Sequence, residues 1–365
     1  MISTVAMPGM AIIALMAVRV LTTDMASPED MTGIETTLAE LGPQRVRRLA
    51  ILAKLEARAP NDYSCEPTRR ALHTVLTAVE LVERTTSLLA VGCEGIATPF
   101  AYLLADIDEG APPSEPRLAM GFGASAPVPA ADRGRAALLP LISDTVLAAL
   151  RDGDLTPASA GLILVKTPTV PAGTQGAAPD QTSMRRGRSL GALGAGIALR
   201  DIDAARVTDA VIGVDGPADL YARRVMTIAA PESDRIEAIA LGNRAGAGGD
   251  LVVTSTVMAD ILDGAAISCM LAESGVALTR WGGVSDPGDV AALLIKTGVA
   301  PDGRVRGQRT TIYGGVAPPE THIRAASSGM LGAILGHTRF FNSGDPIHHA
   351  PPGGGVAAVI VRMRK

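Results

Sequence analysis

Aromatic residues are nearly missing: one Trp, four Tyr and four Phe make up 2% of the 365 residues. The core must therefore be built from Ala, Val, Leu, Ile and Met. Cysteines are also few. Cys65, Cys93 and Cys269 fit neither a metal-ligand spacing nor a disulfide framework. That sparsity predicts a reducing, cytoplasmic setting. Basic residues form no long block, and the formal net charge is -4, so no nucleic-acid partner is expected. Charged residues make up only 19% against 47% hydrophobic, which excludes a disordered chain. No charge precedes Arg19, so the apolar opening lacks the basic lead of a secretory signal peptide. Pro8-Gly9 interrupts it, and it barely reaches membrane-spanning length. The expected account is an upstream start codon, favoured over a membrane anchor, with order beginning near Met16. No other stretch approaches a transmembrane helix, despite a mean hydropathy of +0.27.

The length suits two or three domains. A total of 40 Gly and 25 Pro points to many turns. A short signature recurs along the chain. Leu49–Lys54 reads LAILAK, Gly161–Lys166 reads GLILVK and Ala291–Lys296 reads AALLIK. Each is an apolar run of strand length closed by a lysine. A run apolar on consecutive residues suits a strand buried on both faces, although periodicity alone does not separate it from a buried helix. Helical patterns over Gly33–Leu41 and Ala137–Arg151 precede the first two. The third must have its helix upstream of Trp281. Ala17–Leu21 reads as a first strand.

Basic residues follow each lysine: Arg69-Arg70, Arg185-Arg186-Gly187-Arg188 and Arg324. Each group opens a small-residue helical pattern able to sit close to a sheet: ALHTVLTAVEL, SLGALGAGIAL and AASSGMLGAIL. Apolar strands follow, in SLLAVGCEG, IEAIALGN and GGGVAAVIVR. The reading is α/β, with three similar α/β domains over 1–115, 130–248 and 250–365. Residues 1–16 are an extra segment. Gly110–Pro116 with Pro127–Asp132, and Asn243–Gly249, are the expected linkers.

Three such units around a pseudo-threefold axis would bring Lys54, Lys166 and Lys296 toward one centre. Burial and nearby arginines both lower a lysine pKa. A lysine so depressed can deprotonate a serine or attack directly. Several arginines suit a small, planar, oxygen-rich ligand. The plain alternative is that each lysine closes its strand in solvent.

These features resemble the cyanuric acid hydrolase and barbiturase family of ring-opening amidohydrolases. The resemblance runs from about Arg19 to the C-terminus. It rests on AKLEARAPNDYS (53–64), GCEG (92–95), SMRRGRSLG (183–191), GRVRGQRT (303–310), THIRAA (321–326) and NSGDPIHHAPPGGGVAAVI (342–360). It implies three α/β domains around a pseudo-threefold axis. It also implies a site built from Lys, Arg and Ser of each domain, and cleavage of an amide bond in a planar cyclic imide or ureide. Carried over residue by residue, it assigns Lys54, Lys166 and Lys296, then Arg186, Arg324 and Ser343. Arg69 is the stand-in for the first-domain arginine. Gly92, Cys93 and Gly344 fall in the substrate-binding turns. A homotetramer is implied as well.

The departures bear on chemistry. The first-domain serine position is Ala90. In the middle domain the corresponding turn is VMTIAA (225–230), where Thr227 is the only hydroxyl. The glutamate that holds the family's structural cation falls at Gly298, so no cofactor is required and no metal ligand is assigned. Three functions compete. The first is a divergent amidohydrolase acting through Ser343–Lys296 or Thr227–Lys166. The second is the same fold turned to ring closure, isomerisation or another lysine acid/base step. The third is a non-catalytic binder of a small planar ligand. Cys93 could be a thiol nucleophile, but a small buried cysteine is the plainer reading. His348-His349 lacks a third metal ligand nearby and reads as loop. Ser327-Ser328 reads as helix packing, and RAGAGG (244–249) lacks the context of a phosphate loop.

Overall fold

The computed structural model describes residues 16–57, 64–109, 113–215, 219–315 and 317–364. The expected extra segment falls, up to residue 15, outside the described residues. The first repeat runs β1 (Met16–Asp24), α1 (Thr32–Leu41), β2 (Val46–Glu56), α2 (Cys65–Ala78), β3 (Thr85–Gly92) and β4 (Phe100–Asp108). The second runs β5 (Arg117–Ala124), α3 (Leu138–Asp152), β6 (Ala160–Pro168), the short α4 (Pro179–Thr182), α5 (Met184–Ala198), β7 (Val225–Ala230) and β8 (Glu237–Arg244). The third runs β9 (Leu251–Met258), α6 (Gly264–Glu273), β10 (Val290–Thr297), α7 (Pro319–Leu335), β13 (Phe341–Gly344) and β14 (Gly355–Arg362). A small hairpin of β11 (Arg304–Val305) and β12 (Gln308–Arg309) precedes α7.

The three large sheets share one topology. Their orders are β1-β4-β2-β3, β5-β8-β6-β7 and β9-β14-β10-β13. In each, the first strand pairs antiparallel with the fourth and the fourth antiparallel with the second. The second then pairs parallel with the third. The predicted threefold α/β architecture is present.

Strand alternation decides where side chains go. Ala50 and Leu52 of β2, Leu162 and Leu164 of β6, and Ala292 and Leu294 of β10 share one core at the centre. The intervening residues (Ile51, Val165 and Ile295 among them) face outward into three separate cores beneath the helices. Both faces of each second strand are thus covered, which explains the unbroken apolar runs. Lys54, Lys166 and Lys296 each lie two residues past an inward leucine, so all three aim at the common centre. Small residues seat the helices as expected. A Cβ added at Gly191 of α5 would lie 2.7 Å from Thr227 Cγ2, and one at Gly194 would lie 2.7 Å from Ile142 of α3.

Two boundaries differ from the sequence reading. The second sheet starts with β5 at Arg117, so Pro127–Asp132 lies inside that repeat and not between repeats. β5 reads RLAMGFGA; a Cβ at Gly121 would lie 2.7 Å from Gly153 Cα, and one at Gly123 would lie 2.9 Å from Ala149 N. Glycines that admit a helix this closely hide the strand from pattern reading. Asn243 and Arg244 belong to β8 and not to the linker. In addition, the three apolar runs read as equivalent are not. SLLAVGCEG contains the third strand β3, whereas IEAIALGN and GGGVAAVIVR contain the fourth strands β8 and β14.

Candidate active site

The centre of the molecule holds three buried lysines in matching places, with different partners. On the parallel ladder Lys54 pairs with Ala90, Lys166 with Ile228 and Lys296 with Ser343. Only the third pair joins an amine to a hydroxyl. Lys296 Nζ lies 3.2 Å from Ser343 Oγ and donates to the Gly344 carbonyl at 2.6 Å. Burial holds the Lys296 amine well below its ordinary value, and the Arg188 charge lowers it further. A neutral amine here accepts the Ser343 proton while still donating to Gly344.

The other lysines are taken up by carboxylates. Lys54 Nζ stands 2.7 Å from Glu94 Oε1, and both side chains are buried. Burial lowers the Lys54 pKa, while Glu94 raises it. Lys166 Nζ lies 3.2 Å from Glu237, 3.8 Å from Glu232 and 3.4 Å from the Ser87 carbonyl of the first repeat. Burial raises the Glu232 pKa against the opposing pull of Lys166.

Arginines cross between repeats. Arg324, near the start of α7, places Nε 3.5 Å from Glu94 of the first repeat. Arg188, near the start of α5, donates to Asp345 of the third at 3.0 Å, and Arg185 pairs with the same carboxylate. The field of Arg69, from α2, reaches Glu232 of the second. Each repeat thus sends positive charge to an acid that follows the third strand of another. Gly92 leaves the space for this: a Cβ there would lie 2.9 Å from Arg324 Nη1. A Cβ at Gly344 would likewise lie 2.9 Å from Glu320 Oε2. Burial raises the Glu320 pKa, and the Asp345 charge adds to it.

The structure places several of the remaining sequence-named residues away from the lysines. Thr227 is not the partner of Lys166. Alternation turns it to the outer face of β7, beneath α5. There its hydroxyl donates to the Arg188 carbonyl at 2.9 Å, and its oxygen lies 2.7 Å from His349 Nε2. Ile228 occupies the inward place. Arg186 does not turn toward the carboxylates beside the lysines; its guanidinium is spent on the Gly134 and Ile212 carbonyls and on Asp209. Arg188 takes the central position. Arg69 is exposed and paired with Glu66 at 2.9 Å. Cys93 is exposed, not buried, and its thiol donates to the Ala57 carbonyl at 3.1 Å. His349 is buried in the C-terminal loop, and burial lowers its pKa well below the ordinary value. Ser327 and Ser328 pack in α7 and accept from Asn342.

Sequence reading missed Glu94, Glu232, Glu320, Asp345 and Arg188. A signal existed for two of them. Glu94 follows Ala90 by four residues, and Glu232 follows Ile228 by four. A second signal is lysine scarcity: the chain has only Lys54, Lys166, Lys296 and Lys365.

Position 298 does not fit a cation-binding carboxylate. A side chain there would collide with the Pro346 ring, whose Cγ would lie 2.7 Å from the added Cβ. Among the described residues no three His, Cys, Asp or Glu side chains group around a metal position. No helix of the described residues is long and apolar enough to cross a membrane.

The profile of the amidohydrolase ring-opening protein family matches residues 19–362. The chain belongs to that family. Cyanuric acid amidohydrolase of Pseudonocardia dioxanivorans is 30% identical over 350 residues, covering 93% of this chain and 96% of the relative. The Methylobacterium sp. protein of the same name is 32% identical over 357 residues, covering 93% and 95%. A cyclic amide hydrolase of Azorhizobium caulinodans is 27% identical, covering 93% and 97%. The crystal structure of cyanuric acid hydrolase from A. caulinodans matches with a TM-score of 0.84 at 26% identity, covering 96% of this chain and all of that one. Within the chain itself, Ala90 and Ile228 stand at the register places where the third repeat carries the Ser343 hydroxyl.

Proposed function

We propose that this protein hydrolyses a C–N bond of a small cyclic amide, with Ser343 as nucleophile and Lys296 as its base. The observation that carries the reading is the 3.2 Å approach of Lys296 Nζ to Ser343 Oγ, with the amine buried and depressed in pKa. Lys296 takes the Ser343 proton as Oγ bonds to the ring carbonyl carbon. The C–N bond breaks, the ring opens, and the proton passes to the departing nitrogen. Water, deprotonated by the same amine, then releases the acyl group and restores Ser343. Arg188 and Arg324 both act electrostatically on Lys296. Their charge also favours the negative oxygen of the tetrahedral intermediate. A homotetramer, which rests on the family resemblance, and a cytoplasmic setting, which rests on the sparse cysteines, go with this reading.

A second reading is lysine acid/base chemistry without hydrolysis. It is favoured by the retention of all three lysines beside two lost hydroxyls. One experiment separates the two: turnover of cyanuric acid, barbituric acid, maleimide and hydantoin by wild type, Lys166→Ala, Lys296→Ala and Ser343→Ala. Ring opening lost in both Lys296→Ala and Ser343→Ala supports hydrolysis by this dyad. Turnover that needs Lys296 but not Ser343 supports the second reading. No turnover by folded protein removes the first.

A further inference from the structure

The three lysine partners are equivalent in register yet chemically unequal: Ser343, Ala90 and Ile228. Ser343 and Ile228 line one small cavity at the pseudo-threefold centre, with Lys296 the only charged group on its wall. Most of the rest of that wall is hydrocarbon, from Leu52, Leu164, Leu294 and Phe341 among others, with Thr227 also on it. The Thr227 hydroxyl is engaged by the Arg188 carbonyl and His349. A symmetric ring would turn one carbonyl edge to each repeat. Here one such edge would face the Ser343 hydroxyl and another the branched alkyl chain of Ile228, while the third register place holds only the Ala90 methyl. A carbonyl oxygen left against Ile228 loses its hydrogen bonds with water and gains none from the protein.

We infer that the substrate is an asymmetric cyclic imide or ureide. It presents a single amide edge to Ser343–Lys296 and a carbon-substituted edge to Ile228. Ile228 is then the residue that sets specificity. This inference rests on the proposed ring hydrolysis, but it makes its own statement about which ring fits.

The test compares 5,5-dimethylhydantoin and methylsuccinimide with cyanuric acid, in wild type, Ile228→Ser and Ala90→Ser/Ile228→Ser. Both kcat/KM and calorimetric Kd are read. Wild type is expected to favour the methylated rings by about 10- to 200-fold, the range for alkyl groups in apolar pockets. Ile228→Ser should shift the ratio at least tenfold toward cyanuric acid, and the double variant further. A wild-type preference for cyanuric acid, or a ratio unmoved by either variant, overturns the inference. Calorimetry keeps the two proposals distinguishable. If no ring opens but the methylated rings bind more tightly in wild type and less so in Ile228→Ser, hydrolysis fails while the specificity assignment stands. If no ring binds, the assignment fails too.

Discussion

Lys296 and Ser343 are register partners on adjacent parallel strands, β10 and β13, with Nζ and Oγ 3.2 Å apart. Neighbouring parallel strands hold both backbones, so the pair is preorganised and needs no loop movement to meet. Ser343→Ala and Lys296→Met should each lower kcat by at least about 10²-fold, the scale of a lost general base. Steady-state turnover checks this, with circular dichroism to confirm folding. The double variant should be no worse than either single one, because the two act as a unit.

The pH dependence has a definite sign. In the proposed mechanism the neutral form of Lys296 works, so kcat/KM is expected to be high above its pKa and to fall as pH drops through it. Burial and Arg188 hold that pKa below the ordinary 10.5, so the limb lies below that value. Arg188→Gln removes a nearby cation and one partner of Asp345. Both changes raise the Lys296 pKa, and the limb should move to higher pH. A profile unchanged by Arg188→Gln would detach this arginine from the amine.

Lys54 and Glu94 form a buried ion pair at 2.7 Å. Lys54→Met leaves the carboxylate with Arg324 at 3.5 Å as its remaining cation. Losing one partner of a buried pair costs about 3–5 kcal/mol. Adding Glu94→Gln should recover most of that loss. Denaturant melts of the two variants check it.

Asp106 lies near Asp152 and Asp108, and burial pushes its pKa up to about 6. The folded state therefore keeps this proton to higher pH than the unfolded chain does. Between the ordinary value and about 6, the folded protein loses stability as pH rises. Asp106→Asn should raise Tm by a few degrees at pH 7 and leave it nearly unchanged at pH 3. A calorimetric scan at both pH values checks this.

Gly298→Glu would press a side chain into the Pro346 ring. Overpacking of this kind costs about 1–3 kcal/mol. Tm should fall, and added Ca²⁺ or Mg²⁺ should not restore it. Recovery by either ion would mean that the loop can open into a cation site.

Much of this molecule could be read from residues alone. The three apolar runs ending in lysine suited strands buried on both faces, which is what they form. The helices Thr32–Leu41 and Leu138–Asp152 fell within a residue of expectation because their apolar spacing is regular. Ser343 was named from the pattern of its turn, and the structure sets it beside Lys296. What only the tertiary structure decided was facing and register. Strand side chains alternate, so a misplacement of one residue exchanges centre for helix. That is the difference between the side chain of Ile228, which faces the common centre, and that of Thr227, which meets His349 beneath α5. The same holds along α5, where Arg188 reaches across to Asp345 while Arg186, two residues earlier, is spent within its own repeat. The acids at Glu94, Glu232 and Asp345 find their cations across repeats, and no local pattern in the chain records a contact made between segments so far apart.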